Sequence, residues 1–181
     1  MSGHNKWGQI KHQKEITDQK RGRVFSKLLN AVSIAARVDQ NPQFNPQLRT
    51  AIQKAKDANV PNENIERAIK KTSELERNLD ELDLEAYGPG GSAILIEAIT
   101  DNRNRTVAEI KKILSDYSGK WAESGSVTWA FEKKQINHET IWTPKFPQAI
   151  IDVNDSLKLK TLIKKLEAHE DIQKVFSNIT N

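Results

Sequence analysis

Apolar residues recur every three or four positions along the first part of the chain, which is the spacing of amphipathic helices. One stripe begins near Gly22 and ends before Asn41, a second ends near Asn59, and a third opens at Pro61. The stripes consist of Phe25, Leu28, Leu29, Val32, Ala35 and Ala36, of Leu48, Ile52 and Ala55, and of Ile65, Ala68 and Ile69. Three short helices with short connections predict a small helical bundle.

The stretch before this bundle, residues 1–22, is polar and rich in Lys, Gln and His. Its large apolar residues are Trp7, Ile10 and Ile16, too few to bury much surface. We therefore expect an extended or weakly helical arm.

Beyond the bundle the pattern alternates between strands and helices. Short apolar or alternating runs predict strands, and three-to-four spacing predicts helices, in the order strand 93–99, helix 107–114, strand 126–132, strand 149–153, helix 157–166 and a last strand at 175–176. This order is typical of the ferredoxin-like split βαβ motif, a four-stranded sheet with two helices on one face.

The acidic stretch 72–86 carries scattered leucines and no clear cap or turn, which indicates a linker with some helix. The predicted fold class is therefore α+β. We expect a basic arm and helical bundle at 1–73, an acidic linker at 74–86 and a ferredoxin-like domain at 87–181.

Charge is distributed unevenly along these segments. The net charge of the 181 residues is only +4, but residues 1–71 hold 14 Lys and Arg against 6 Asp and Glu, and residues 72–90 hold 1 against 6. A basic N-terminal third points to a polyanionic partner. The alternative is that these lysines and arginines merely keep the helices soluble.

Composition removes several enzyme classes. There is no cysteine, so disulfides, thiolate metal sites and cysteine nucleophiles are excluded. The four histidines are scattered without metal-ligand spacing, and the glycines at 88, 90 and 91 precede a strand, as a turn does, instead of linking a strand to a helix as a phosphate loop does. We expect no catalytic site, metal, cofactor or small-molecule substrate.

No apolar run reaches the ~20 residues that a membrane-spanning helix needs, and the N-terminus lacks the pattern of a signal peptide. We expect a cytoplasmic protein with no membrane partner.

Two groups of residues are candidates for nucleic-acid contacts. The first is the cationic arm with its neighbours, opposed only by Glu15 and Asp18, and arms of this kind lie along phosphates. Trp7 either stacks on a base or folds back onto the bundle as an anchor. The candidates here are Lys6, Trp7, Lys11, His12, Lys14, Lys20, Arg21, Arg23 and Lys27.

The second group is Arg103 and Arg105, which fall between the first strand of the sheet and the helix after it. Asp101 or Asn104 can cap that helix. Capping leaves both arginines free to bind a phosphate or a planar base.

Six segments of this chain resemble the YebC/PmpR family, in the family's order. The segments are Ser2-Gly-His-Asn-Lys-Trp with Ile10-Lys-His, Lys20-Arg-Gly-Arg-Val-Phe-Ser-Lys-Leu, Asn59-Val-Pro-Asn-Glu-Asn-Ile-Glu-Arg-Ala-Ile, Tyr87-Gly-Pro-Gly-Gly, Thr100-Asp-Asn-Arg-Asn-Arg-Thr and Gly125-Ser-Val-Thr-Trp-Ala-Phe-Glu. The resemblance is dense over residues 1–134 and looser over 144–178. Family members typically insert a further α/β domain where this chain has only the stretch near 135–147, so the resemblance implies a shortened form.

The resemblance implies regulation through nucleic acid without chemistry, because the family includes transcriptional regulators that bind promoter DNA. It also includes mitochondrial translational activators and bacterial factors linked to ribosomes stalled on proline-rich sequences. We therefore expect a DNA-binding transcriptional regulator. The alternatives are a ribosome-associated translation factor that binds ribosomal RNA, a scaffold whose acidic strip at 74–85 docks a basic partner, and a hidden enzyme. Sequence alone leaves the target and the oligomeric state undetermined.

Overall fold

The computed structural model describes residues 3–71, 78–136, 139–150 and 152–179, with residues 3–13 and 16 described by their backbone alone. The first unit is helical. It consists of α1 (Gly3–Ala36), α2 (Pro46–Asp57) and α3 (Asn62–Lys70). Their contacting faces bury one apolar cluster that includes Val32, Leu48, Ala55, Ile65 and Ala68. The predicted three-helix bundle is confirmed.

Asn45 fixes the turn between the first two helices. Its side-chain oxygen accepts a hydrogen bond from the Leu48 N–H at 3.0 Å, which caps α2, and its amide nitrogen donates to the carbonyls of Ala35 and Asp39, each at 2.7 Å. Asn45 is only 4% exposed. One buried amide therefore joins the end of α1 to the start of α2.

The prediction of an extended or weakly helical arm is wrong, because the backbone of α1 is one continuous helix from Gly3. The segment is rich in Lys and Gln, which favour helix, and the first proline is Pro42. Continuation from a packed C-terminal part removes the cost of nucleating a new helix.

The second unit contains an antiparallel four-stranded sheet, in the order β3-β1-β2-β6. A separate hairpin is formed by β4 and β5. The strands are β1 (Asp80–Tyr87), β2 (Ala93–Thr100), β3 (Lys120–Ala122), β4 (Phe131–Ile136), β5 (Glu139–Pro144) and β6 (Ile172–Ser177), and the helices are α4 (Arg103–Asp116) and α5 (Val153–Glu167).

The two helices of this unit cover one face of the sheet. Ile110 and Leu114 of α4 and Leu162 and Leu166 of α5 pack with the even-numbered apolar residues of β1 and β2 in one core. The other face packs Ala93 and Leu95 against residues from the loop after β3 and from the hairpin. The predicted α+β class, with two helices on one face of a four-stranded sheet, is confirmed.

The chain order within the sheet differs from the prediction. Strand β2, helix α4 and strand β3 form a split βαβ unit, because β2 and β3 are parallel with β1 between them. The next strands in the chain, β4 and β5, form a separate hairpin, and the inner position beside β2 is filled instead by β1, which precedes it in the chain. The described residues between β4 and α5 hold this hairpin and no further α/β unit.

The prediction of a linker with some helix is wrong for residues 80–86, which belong to β1. Leu82, Leu84 and Ala86 alternate on the core face, and Glu81 and Asp83 are exposed on the other. The acidic composition obscured this period-two pattern. Residues 72–77 lie outside the described part of the chain.

Two predicted strands are also wrong. Residues 128–130, predicted to lie within a strand at 126–132, form a 3₁₀ turn before β4, and Trp129 is 64% exposed. At 149–153 the only described pairing nearby is a single bridge from Gln148 to Ile179, and α5 begins at Val153.

A buried carboxylate accounts for the conformation of the loop before β4. Glu85 of β1 is 5% exposed and accepts hydrogen bonds from the N–H groups of Gly125 and Val127, each at 2.6 Å, and of Thr128 at 3.1 Å. The Thr128 hydroxyl also donates to Glu85, at 2.6 Å. Gly125 has a φ of 87°, a conformation that favours glycine.

Burial alone would raise the pKa of the Glu85 carboxyl, but the hydrogen bonds from Thr128, Val127 and Gly125 outweigh it and lower the pKa below its ordinary value. The carboxylate is therefore the form that holds the loop. We call the loop with its carboxylate, residues 123–128 and Glu85, the Glu85 loop.

We expect Glu85→Gln to lower the free energy of unfolding by about 2–3 kcal/mol at neutral pH, because the new amide NH₂ faces N–H donors. Because the pKa of Glu85 is lowered in the folded state, its carboxylate stabilises the fold at pH values above the ordinary carboxyl pKa. This contribution disappears as the pH falls through the folded-state pKa. Urea denaturation at several pH values would measure both effects. Glu81→Gln, exposed on the same strand, is the control and should change stability by no more than about 0.5 kcal/mol. Equal effects of the two substitutions would contradict this account of the loop.

Candidate nucleic-acid interface

Helix α1 has a buried part and an exposed part. Val32 and Ala36 lie in the core of the bundle, whereas every described side chain from residue 14 to residue 24 is exposed. At 1.5 Å per residue, the stretch from Gly3 to Phe25 spans about 33 Å of helix. We call residues 14–24 the exposed segment of α1.

Four of the predicted site residues lie in this segment: Lys14, Lys20, Arg21 and Arg23. None of them forms an ion pair with a described residue. Helical spacing places Lys20 and Arg23 on one face, and it places Lys14 and Arg21, seven residues apart, on another. The segment thus offers cations on two sides of a single helix.

The backbone of α1 also runs through Lys6, Trp7, Lys11 and His12. Their side chains lie outside the described residues, so their roles remain predictions.

Lys27 is placed differently from the other cations. It is half-buried, its Nζ donates to the Glu167 carbonyl at 3.0 Å, and its own carbonyl accepts from Gln173 Nε2 at 3.3 Å. Burial lowers the pKa of the Lys27 ammonium, and the Glu167 carboxylate partly offsets this. The Lys27 ammonium therefore joins α1 to α5 instead of standing free in solvent like the cations of the exposed segment.

The two predicted arginines of α4 also differ in whether their charged groups already have partners within the protein. Arg103 is exposed and has no ion pair or hydrogen bond to any described residue through its side chain. Arg105 Nη2 lies 2.9 Å from Asp171 Oδ2 and 3.2 Å from Asp101 Oδ1, and its Nε lies 3.9 Å from Glu109. The expectation that Arg105 is free to bind a phosphate is therefore wrong. The cap of α4 is Asn102, whose side chain accepts from the Arg105 N–H.

Asp171 is the centre of a network that sequence reasoning missed. Its Oδ2 accepts from the Thr106 hydroxyl at 2.6 Å as well as from Arg105, and its side chain is 7% exposed. The backbone N–H of Asp171 donates to His169 Nδ1 at 3.1 Å, which leaves the other ring nitrogen of His169 to face Glu109 at 2.9 Å. The His169 side chain is 9% exposed.

The ligand atoms of Glu109, His169 and Asp171 lie within 4.8 Å of one another, as in a metal site. However, the Arg105 guanidinium already supplies the positive charge for Asp171, and His169 Nδ1 accepts a backbone hydrogen bond. These contacts identify a structural network that ties the start of α4 to β6.

A cleft of about 600 Å³ separates α1 and α2 from the sheet and the hairpin. Glu139 bridges it, since its carboxylate pairs with Lys54 of α2 and with Lys174 of β6, the latter at 3.1 Å. Burial raises the pKa of Glu97 in the same wall, and Lys174 partly offsets the effect. The charged lining consists of Lys27, Lys54, Lys133, Lys174, Glu81, Asp83, Glu97 and Glu139, four of each sign. This balance does not fit a polyanion, in contrast to the exposed segment of α1.

Two family models match this chain in the order of its two units. The model described as the TACO1/YebC protein N-terminal domain matches residues 5–75, and that described as the TACO1/YebC second and third domain matches residues 79–138. The chain belongs to the TACO1/YebC family. The second match covers β1 through β4, so it includes α4 and the Glu85 loop but not Asp171 or His169.

Curated members of the TACO1/YebC family include two described as a "Probable transcriptional regulatory protein". The one from Desulfosudis oleivorans is 55% identical over 137 residues, which are 74% of this chain and 56% of the relative. The one from Petrotoga mobilis is 55% identical over 139 residues, 75% of this chain and 55% of the relative. The chain spans just over half the length of these curated relatives.

A crystal structure of a conserved hypothetical protein from Aquifex aeolicus has the same fold. Its TM-score is 0.82 at 32% identity, and the match covers 90% of this chain and 91% of that one. None of the described helices of this TACO1/YebC family member is long and apolar enough to cross a membrane.

We expect Arg105→Gln to lower the free energy of unfolding by about 1–3 kcal/mol, because it leaves the buried Asp171 carboxylate without its cation. Arg103→Gln, two residues earlier on α4 and exposed, should change stability by no more than about 0.5 kcal/mol. Chemical denaturation would measure both. Adding Asp171→Asn to Arg105→Gln should restore part of the loss, and the absence of any restoration would contradict the pairing.

Proposed function

We propose that this chain is a DNA-binding transcriptional regulator that acts without catalysis. The observation that carries the proposal is the exposed segment of α1, where Lys14, Lys20, Arg21 and Arg23 face solvent and only Glu15 and Asp18 oppose them. Cations on a helix that extends beyond the core reach phosphates without displacing internal partners. The names of the curated relatives support the regulatory role.

The contact we propose is led by the DNA backbone. Helix α3 begins with Asn62 and Glu63, and Arg67 is held by Glu63 at 2.7 Å, so this helix does not offer the free base-reading side chains of a recognition helix. The cations of α1 instead contact phosphates, which position a protein without reading sequence. Arg103, exposed at the start of α4, supplies a second contact from the α/β unit.

In this proposal both units contact DNA: a helical unit at residues 1–73 and the α/β unit that follows it. Lys6, Trp7, Lys11 and His12 extend the same contact along α1. Because a transcriptional regulator acts on the chromosome, the proposal includes a cytoplasmic location for this protein. Lys27 and Arg105 are excluded from it, because their charged groups already bind within the protein.

We expect the triple substitution Lys20→Glu, Arg21→Glu and Arg23→Glu to weaken binding to duplex DNA by at least about 100-fold at ~0.1 M salt. If all three cations contact phosphates, the slope of log affinity against log salt should become shallower by about 2.7. Electrophoretic mobility shifts at several salt concentrations would measure both quantities, with circular dichroism to check the fold.

The matched control is Lys158→Glu, Lys160→Glu and Lys164→Glu on α5, which changes the net charge equally. It should leave most of the affinity intact. An equal loss in both variants would show a general effect of charge and contradict the proposal. Salt-sensitive co-sedimentation with ribosomes, lost in the α1 variant and without a duplex DNA shift by the wild type, would overturn it in favour of a translation factor.

A further inference from the structure

Three aromatic side chains are exposed around the Glu85 loop. Trp129 is 64% exposed, Phe146 is 59% exposed and Tyr87 is 42% exposed. The ring centroids of Trp129 and Phe146 are 5.7 Å apart, with the planes inclined by 47°. We call Tyr87, Trp129 and Phe146 the aromatic platform.

The polar atoms of the platform are directed inward. Trp129 Nε1 donates to the Ser126 carbonyl at 2.8 Å, and the Tyr87 hydroxyl donates to the same carbonyl at 3.2 Å. Because these donors already have a partner in the loop, a ligand does not have to satisfy them. The exposed ring surface is therefore available for stacking.

The platform rests on a rigid support. The four hydrogen bonds to the Glu85 carboxylate hold the backbone on either side of Ser126. Ser126 is the residue whose carbonyl accepts from both Trp129 and Tyr87. Because the ordered loop leaves Trp129 exposed to solvent, the fold does not gain the stabilisation that burying this large side chain would provide. Clustered apolar side chains of this kind mark interaction sites.

The charges beside the rings favour an anionic ligand. Lys120 lies opposite Tyr87 in the register of β1 and β3, so its side chain is on the same face of the sheet, and Lys145 is next to Phe146 in sequence. Both lysines are exposed. Of the nearby acidic groups, Glu132 is paired with Lys134 at 2.7 Å and also interacts with the charge of Lys145, and Glu123 remains exposed on the loop.

We propose that the aromatic platform binds unpaired bases of single-stranded DNA. The bases stack on Trp129 and Phe146, and Lys120 and Lys145 contact the flanking phosphates. Flat exposed rings beside cations are the pattern of single-strand binding, which tolerates any base sequence. The inference rests on the proposed function, because it assigns a second DNA contact to the same protein, on the α/β unit and distinct from the exposed segment of α1.

The test compares Trp129→Ala with Phe44→Ala in the full chain. Phe44 is 75% exposed on the helical unit, so it controls for the loss of a surface aromatic ring. A labelled single strand of about 12 nucleotides, of mixed sequence and made as DNA or as RNA, and the matching DNA duplex are titrated and followed by fluorescence anisotropy. Trp129→Phe tests whether a smaller ring restores stacking.

We expect Trp129→Ala to weaken binding to the DNA single strand by about 10-fold or more and to leave duplex binding unchanged. Phe44→Ala should bind both as the wild type does, and Trp129→Phe should recover part of the loss. Quenching of Trp fluorescence by the single strand, reduced in Trp129→Ala, would further support stacking.

Unchanged single-strand affinity in Trp129→Ala would overturn the inference, and the proposed function would still stand if the α1 charge reversal abolished duplex binding. Failure of the wild type to bind either form of DNA would overturn both. A larger effect of Trp129→Ala on the RNA strand than on the DNA strand would overturn the assignment to DNA. Loss of a dimer in sedimentation, with DNA binding unchanged, would assign the platform to a second copy of this chain.

Discussion

The burial of one carboxylate in the sheet determines how the second unit is built. Glu85 lies in β1, a central strand, on the face that α4 and α5 do not cover. A charge at 5% exposure is tolerated only when its lone pairs are occupied, and here the loop of residues 125–128 supplies four donors. The loop must therefore cross that face. The chain then enters β4 over Ala93 and Leu95, and Trp129 is left outside the core.

Helix α1 provides the second constraint, since one rigid element takes part in three kinds of contact. Its C-terminal part supplies Val32 and Ala36 to the bundle, Lys27 contacts the α5 carbonyl of Glu167, and Arg37 Nη2 donates to the Leu79 carbonyl just before β1 at 2.8 Å. The exposed segment continues the same helix. A change in the angle between the two units would consequently move the cations of α1 relative to the sheet.

Sequence reasoning located the elements whose apolar residues follow one period. The stripes of α1, α4 and α5 and the apolar run of β2 were predicted because each depends on local spacing. Strand β1 was missed because its alternating Leu82, Leu84 and Ala86 stand in an acidic stretch, whose composition indicated a linker. Residues 126–132 were assigned to a strand because their alternation is genuine in sequence, but the Glu85 hydrogen bonds, about forty positions away in the chain, impose a turn.

The candidate site shows the same division between local and long-range information. The exposure of Lys14, Lys20, Arg21 and Arg23 follows from a helix with no apolar stripe, which the sequence displays. The loss of Lys27 and Arg105 from the site depends on Glu167 and Asp171, more than sixty positions away from either cation. A single sequence could not reveal those partners, nor the network that joins Thr106 and His169 to Asp171.

The two proposed DNA contacts differ in physical character, and this difference matters for how the protein could act. Attraction between the α1 cations and phosphates is long-ranged and weakens with salt, whereas stacking on Trp129 acts only at contact and depends little on salt. The cleft between the units carries equal numbers of both charges, so it neither extends the cationic surface nor competes with it. Electrostatic attraction would therefore bring duplex DNA to α1 whatever its sequence, and stacking would favour places where the duplex opens. Selection of a site would then depend on how readily the DNA exposes its bases more than on reading their edges.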